Sequence, residues 1–175
     1  MRNEAAWQAY AERLNAFGAH LLTTYGIRLA YHHHMGAYVE SPADVDKLMA
    51  LTDPVKVFLL FDTGHAYFGG AQDPVTLLQK HVKRVAHVHC KDVRAKVIDQ
   101  ARNESWSFLN GVINGTFTVP GDGALDYKAV LSTLKNAGYE GWLVVEAEQD
   151  PAVAPSYEYA KKGYDTLRGI VDRLG

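Results

Sequence analysis

The chain has one cysteine, Cys90, among its 175 residues, so it holds no internal disulfide framework and suits a reducing compartment. It lacks an excess of either charge: 18 basic residues face 20 acidic ones, a formal net charge of −2. That balance excludes a general attraction to nucleic-acid phosphates, and no basic stripe is present to bind them. Long apolar runs are missing too. The longest, around Val55 to Phe61, falls far short of the ~20 residues that cross a bilayer, so no membrane partner is expected. Met1 to Tyr10 is charged and has no apolar h-region, which argues against a signal peptide and for the cytoplasm. Linkers, low-complexity tracts and close repeats are absent as well, so residues 1–175 are expected to form one domain.

What is present is ordinary globular composition, 47% hydrophobic and 22% charged, enough for one sizeable core. Five of the eight histidines fall in two clusters, His32-His33-His34 and His87-Val88-His89. The triple run follows an apolar segment in mid-chain, whereas affinity tags are terminal.

Periodicity alternates between helix and strand. Trp7, Tyr10, Leu14, Phe17 and Leu21 recur in steps of three and four, the face of an amphipathic helix, and Gly26 stops it. Ile27 to Tyr31 reads as a strand that runs into the histidines. Ser41-Pro42 starts a helix with Ser41 as N-cap, and Val45, Leu48 and Met49 form its buried face. Val55 to Phe61 fits a parallel strand buried on both faces and ends at Asp62-Thr63-Gly64-His65. A helix opened by Asp73-Pro74 reaches about Val82, and Arg84 to His89 is the third strand. A polar connection from Val93 to Pro120 follows, with a short helix near Phe108 to Val112, then a turn at Gly121-Asp122-Gly123. Tyr127 to Ala137 is helical, Trp142 to Val145 is the fourth strand, and Pro155 to Leu174 is the last helix. Regular alternation with no hairpin signal predicts an α/β fold with a parallel sheet.

The polar residues fall at the strand tips. The first strand ends at His32 to His34, the second at Asp62 and His65, the third at His87 and His89, the fourth at Glu146 and Glu148. In parallel α/β folds the carboxyl ends of the strands form the ligand-binding rim, so four such tips together point to a site. Imidazoles mixed with carboxylates suit Mn, Co, Fe or Zn better than Ca. Each residue also has a plainer reading. Asp62 alone could cap the turn at Gly64. His87 and His89 share one face of a strand and could be packed core histidines. Glu146 follows four apolar residues, and a carboxylate there needs a partner. Glu148 and Asp150 read as loop residues, Gly121-Asp122-Gly123 as a tight turn rather than a phosphate cradle, Cys90 as a small buried hydrophobe, and Tyr157 and Tyr159 as helix surface and core.

Five segments, Leu29 to Gly36, Leu60 to His65, His87 to Asp92, Phe117 to Gly123 and Gly138 to Pro151, resemble inosose dehydratases of myo-inositol catabolism. Their wider group is the xylose-isomerase-like (β/α)₈ barrels. The resemblance runs from about Gly26 onward, and its specific parts are the triple histidine with Met-Gly and the run Val145 to Pro151. It implies a divalent metal, Mn or Co, held by Asp62, His89, Glu146 and, at the first strand tip, His32, with His34 or Glu40 as substitutes. It implies His65, Lys91 and Glu146 as acid–base groups, and His34, Glu40, His65 and Lys91 around a polyol or sugar substrate. It also implies glutathione, for which no residue of the sequence marks a site. The implied reaction removes water from 2-keto-myo-inositol to give a trihydroxycyclohexane-dione. A ketose epimerase, a sugar isomerase of the same group and an inactive metal-binding fragment are the rival readings.

A complete barrel takes about 250 residues and eight βα units. The four strands here correspond to its C-terminal half, and the first and last would be open edges. Truncation of a longer chain is expected, with pairing to a separate N-terminal half and self-association into a pseudo-barrel as the alternatives.

Overall fold

The computed structural model describes residues 3–71 and 73–175, so Met1 and Arg2 of the N-terminal stretch read above lie outside it. The elements run α1 (Glu4–Tyr25), β1 (Leu29–His32), α2 (Pro42–Leu51), β2 (Val57–Asp62), α3 (Thr63–Phe68) and α4 (Pro74–His81). A 3-10 turn at Val82–Arg84 leads to β3 (Val85–Cys90), β4 (Asp92–Val93), α5 (Ala95–Asn103) and α6 (Phe108–Ile113). β5 (Phe117–Thr118), α7 (Tyr127–Asn136), β6 (Leu143–Val145) and α8 (Ser156–Leu174) complete the order.

The helix starts expected from the sequence form for the expected reasons. The Ser41 side chain accepts from the Asp44 amide while the Asp44 carboxylate accepts from the Ser41 amide, a full capping box with Pro42 in the first turn. Asp73 accepts from Val75 ahead of Pro74. Gly26 and Gly138 stand just past α1 and α7 with φ of +68° and +73°, where a side chain would be strained.

Four strands form one parallel sheet in the order β1-β2-β3-β6. All four C-terminal tips therefore lie along one rim, with Asp62 opposite His89 and His32 opposite Leu60. Strand alternation sends Val57, Leu59, Phe61, Val88 and Cys90 to the face covered by the helices, where all are buried. Trp7, Leu48, Leu78, Tyr127, Leu131 and Leu167 pack against them to make the main core.

The structure departs from the sequence reading at α3, which the sequence did not mark, and in three further places. β4 and β5 pair antiparallel beside the main sheet, although no hairpin signal marked them. Each spans two residues, too short for a period of two to register. The connection read as polar and mostly irregular holds α5, which buries Ile98 and Ala101 under Phe68 and Phe117. In α1 the buried residues are Trp7, Ala11 and Gly18, and Phe17, read as part of the buried face, is 53% exposed.

Candidate functional site

The rim is built from the tips outward. β1 delivers His32, and the next residue, His33, turns away from the rim and is fully buried against Phe61. Its Nε2 accepts from the Asp62 amide, and burial pulls its pKa down to about 3, so it is a neutral structural histidine. β2 ends in Asp62, whose Oδ1 accepts from the His65 amide and caps α3. The capping role and a site role therefore coexist in one carboxylate, because its other oxygen points elsewhere.

That second oxygen, Asp62 Oδ2, lies 3.5 Å from His32 Nε2 and 3.5 Å from His89 Nδ1, and His89 Nδ1 lies 2.9 Å from Glu146 Oε2. His32 Nε2, Asp62 Oδ2, His89 Nδ1 and Glu146 Oε2 are all buried, and none makes a hydrogen bond. Metal–ligand bonds of about 2.1 Å put neighbouring donors about 3.0–3.4 Å apart, close to this spacing. The donor set thus fits a divalent cation by its orphaned atoms as well as by its chemistry.

Electrostatics agree. Burial alone would raise the Asp62 carboxyl, but His32, His89 and the Lys91 ammonium hold it well below the usual carboxylate range. Asp62 and Glu146 together raise His89 to about 9.

Lys91 lies beside this quartet and is fully buried. Its Nζ donates to Glu148 Oε2 at 2.7 Å and lies 2.9 Å from His65 Nε2, 3.0 Å from Glu146 Oε2 and 3.5 Å from Asp62 Oδ2. Burial opposes its charge, yet the three carboxylates raise its pKa and keep it an ammonium. The stem reaches the site because residue 64 is glycine: a Cβ there would stand 2.7 Å from Lys91 Cγ.

Glu148, read from the sequence as a loop residue, is the hub of a second cluster with His34 Nε2 at 3.8 Å and His65 Nε2 at 3.4 Å. Burial works against its charge, but His34, His65 and Lys91 hold it far below the ordinary range. Burial lowers His65, which keeps that ring neutral. The His34 and His65 rings sit 3.6 Å apart beneath Phe108, and Phe117 lies under the Lys91 ammonium. The signal that would have found Glu148 is its spacing: two residues after Glu146, it leaves the strand on the same side.

The structure brings His32, His34, Asp62, His65, His89, Lys91 and Glu146 to one rim. Triads within reach of one cation are His32-Asp62-His65, His34-His65-Glu148 and Asp62-His89-Glu146, the donors of each lying within 4.8 Å of one another. Glu40 stands apart from these groups, its Oε2 accepting from the Gly36 amide. His87 is partly exposed behind His89, 5.5 Å away ring to ring. Cys90 is fully buried, and burial pushes its thiol up. The Gly121–Gly123 amides are occupied: Asp92, itself buried, accepts from Gly121, Gly123, Leu125 and Val93. That loop is a turn held by a carboxylate, with no amides left to cradle a phosphate. Tyr157 is exposed, and Tyr159 is half-buried rather than core.

Residues 2–170 match the family model of the xylose isomerase-like TIM barrel. Inosose dehydratase of Klebsiella pneumoniae (strain 342) is 49% identical over 168 residues, which cover 95% of this chain and 56% of that protein. The rhizopine catabolism protein MocC of Rhizobium meliloti is 50% identical over 169 residues, covering 97% of this chain and 51% of that protein. Among solved structures, the probable 3-DHS dehydratase AsbF of Bacillus anthracis superposes with a TM-score of 0.72 at 15% identity, over 95% of this chain and 58% of that one. The IOLI protein, solved with a bound zinc atom, superposes with a TM-score of 0.69 at 19% identity, over 97% of this chain and 58% of that one. At such identities these structures speak to the fold alone. The chain spans about half the length of the curated relatives it matches.

Proposed function

The chain belongs to the xylose isomerase-like TIM barrel family, and from that premise we propose that it carries the metal-binding, catalytic C-terminal half of an inosose dehydratase. The reaction is loss of water from 2-keto-myo-inositol to give a trihydroxycyclohexane-dione. The observation that carries the reading is the convergence of four buried donor atoms, none satisfied by a hydrogen bond, at the tips of four adjacent parallel strands. Relatives near 50% identical that bear the name inosose dehydratase supply the substrate class.

His32, Asp62, His89 and Glu146 are the residues that would hold the ion, Mn or Co in this reading. Bound there, a divalent cation polarises the substrate ketone and stabilises the negative charge that develops when the adjacent C–H is deprotonated. The chain's own groups do the rest. His65, neutral, and Glu146 are placed to accept the proton from carbon. Lys91 Nζ, held charged by its carboxylates, donates to the hydroxyl that leaves as water. His34 and Glu148 fix His65 and Lys91, and Phe108 packs against the His34 and His65 rings. Glutathione enters this reading only through the family resemblance read from the sequence.

The test is activity on 2-keto-myo-inositol with added Mn or Co, following the dione by its ultraviolet absorbance against a chelated control. Metal-dependent dione formation is expected. Conversion of a ketose without loss of mass would assign the site to an epimerase or isomerase instead. No turnover despite bound metal would mean that the remaining half of the barrel is required.

A further inference from the structure

We infer that the Thr63 hydroxyl, set by the Tyr127 phenol, is a positioning group that fixes where the tip of β3 presents His89 and Lys91 to the site. The inference rests on the metal-binding reading above and concerns two residues that the reaction itself does not use.

The first observation is where the ladder between β2 and β3 stops. The two strands pair up to Asp62 and His89, and at Thr63 the chain turns into α3. On the other flank of β3, Cys90 still pairs with Val145 of β6, and the Glu146 amide donates to the Cys90 carbonyl at 3.4 Å. The tip of β3 is thus held on its β6 side, while on its β2 side the neighbouring backbone has left. Thr63 fills that place with its side chain. The Lys91 amide donates to Thr63 Oγ1 at 3.1 Å, and Oγ1 lies 2.9 Å from the Lys91 carbonyl and 3.3 Å from the His89 carbonyl. Both backbone groups of Lys91 therefore find a partner in one hydroxyl.

The second observation is that this hydroxyl is fully used and its proton has one direction. A hydroxyl offers one proton and two lone pairs. The Lys91 N–H can only donate, so it takes one lone pair, and the proton goes to the Lys91 carbonyl, the nearer of the two acceptors. Tyr127, whose hydroxyl stands 2.9 Å away on α7, completes the set by donating into the second lone pair. Burial raises that phenol well above its usual range, so it keeps its proton. Thr63 and Tyr127 are both buried. Helix capping does not explain the arrangement, because α3 is capped by Asp62, which accepts from the His65 amide.

What the clamp fixes is the spacing of the site. Thr63 directly follows the ligand Asp62 and reaches the backbone of the ligand His89, so one side chain ties the two tips whose Asp62 Oδ2 and His89 Nδ1 stand 3.5 Å apart. Lys91 is fixed at its base as well. Its backbone is held by Thr63 and its stem passes over Gly64, so Nζ arrives 2.7 Å from Glu148 and 3.0 Å from Glu146. Asp62 Oδ2 is left 3.5 Å from that ammonium. An ammonium that drifted onto it would occupy the oxygen that the ion needs. Valine at position 63 would keep the shape of threonine while leaving the Lys91 amide, the Lys91 carbonyl and the Tyr127 hydroxyl buried and unpaired, so the tip would have to move. Groups that orient metal ligands from behind typically change metal affinity or activity by about 10–100-fold.

The experiment is titration of the metal-free chain with Co²⁺, read by visible absorption, for the parent, Thr63→Val, Thr63→Ser and Tyr127→Phe. Circular dichroism checks that each protein is folded. Thr63→Val is expected to bind Co²⁺ at least about tenfold more weakly and with a changed absorption spectrum. Thr63→Ser should restore both affinity and spectrum, and Tyr127→Phe, which keeps its ring in the core, should weaken binding in the same direction as Thr63→Val. A folded Thr63→Val protein with the parent's affinity and spectrum would overturn the inference. So would a Thr63→Ser protein as weak as Thr63→Val, because packing of the methyl group would then be the cause. If Thr63→Val does not fold, Tyr127→Phe decides by the same two readouts, and parental binding there overturns the inference. A parent that takes up no Co²⁺ would overturn the metal reading and this inference with it, a result distinct from a parent and variants that bind alike.

Discussion

Leaving a buried polar atom without a hydrogen bond costs a fold about 1–3 kcal/mol, and the rim gathers four such atoms that face one another and Lys91 only as charges, His32 Nε2, Asp62 Oδ2, His89 Nδ1 and Glu146 Oε2. A cation that takes all four offsets that cost, which is why metal binding and stability are coupled in this account. The coupling has a sign. His89 is raised to about 9 in the metal-free chain, above the ~6.5 of an unfolded histidine. Its proton must leave before Nδ1 can bind metal, so affinity should rise up to about tenfold per pH unit from pH 7 to 9. The same shift means that His89 stabilises the metal-free fold fully below about 6.5 and loses that contribution as pH rises through about 9. Calorimetric metal titration at several pH values and urea unfolding in chelator check the two halves; a metal affinity flat across this range would contradict the assignment of His89. A second residue-scale expectation concerns Glu148. Glu148→Gln should leave metal affinity within about threefold while turnover falls about 100-fold, the low end for a positioned acid–base network. Equal losses in both would place Glu148 among the ligands. From sequence alone, Asp62, His65, His89 and Glu146 were legible because each falls at or just beyond a strand tip. Glu148 stood at the fourth tip as well, but its plainer reading as a loop acid kept it out of the expected site, because nothing local tells the two apart.

The elements that place these residues are short and depend on single side chains. Asp62 caps α3 with one oxygen and faces the site with the other, so strand end, helix start and site are one junction. Lys91 crosses that junction over Gly64, where a Cβ would meet Lys91 Cγ at 2.7 Å, Cδ at 2.9 Å and the backbone oxygen at 2.9 Å. Gly64→Ala should therefore destabilise by about 1–3 kcal/mol in urea titration and reduce turnover, since the Lys91 backbone cannot yield with its side chain. A Gly64→Ala chain as stable and active as the parent would show that Lys91 reaches the site by another path. The long helices and the four parallel strands were readable because periodicity and caps agree over many residues, as at Ser41-Pro42 and Asp73-Pro74. α3, of six residues, and the two-residue strands β4 and β5 were hidden, because tertiary contacts rather than period create them. Asp92, holding four backbone amides, is such a contact.

At the scale of the whole molecule, the apolar pattern runs past what the described residues bury. Phe17 completes a helical stripe in the sequence but is left exposed in the structure, and Trp142 continues the inner face of β6 into solvent. Among the described residues no helix is long and apolar enough to cross a membrane. The parallel α/β order was legible from alternation alone, but what covers the open face was not, since periodicity specifies a buried face without naming what buries it. The sheet places all four tips on one rim, so the candidate ligands are complete in the chain whatever closes the barrel. The most direct test of the central claim is therefore a titration of the metal-free chain with Co²⁺, read by its visible absorption, beside Asp62→Asn. The account predicts one Co²⁺ per chain and an affinity at least about 100-fold weaker in the variant, beyond the usual cost of losing an outer-shell partner. A chain that takes up no Co²⁺, or a variant that binds it as tightly as the parent, would contradict it.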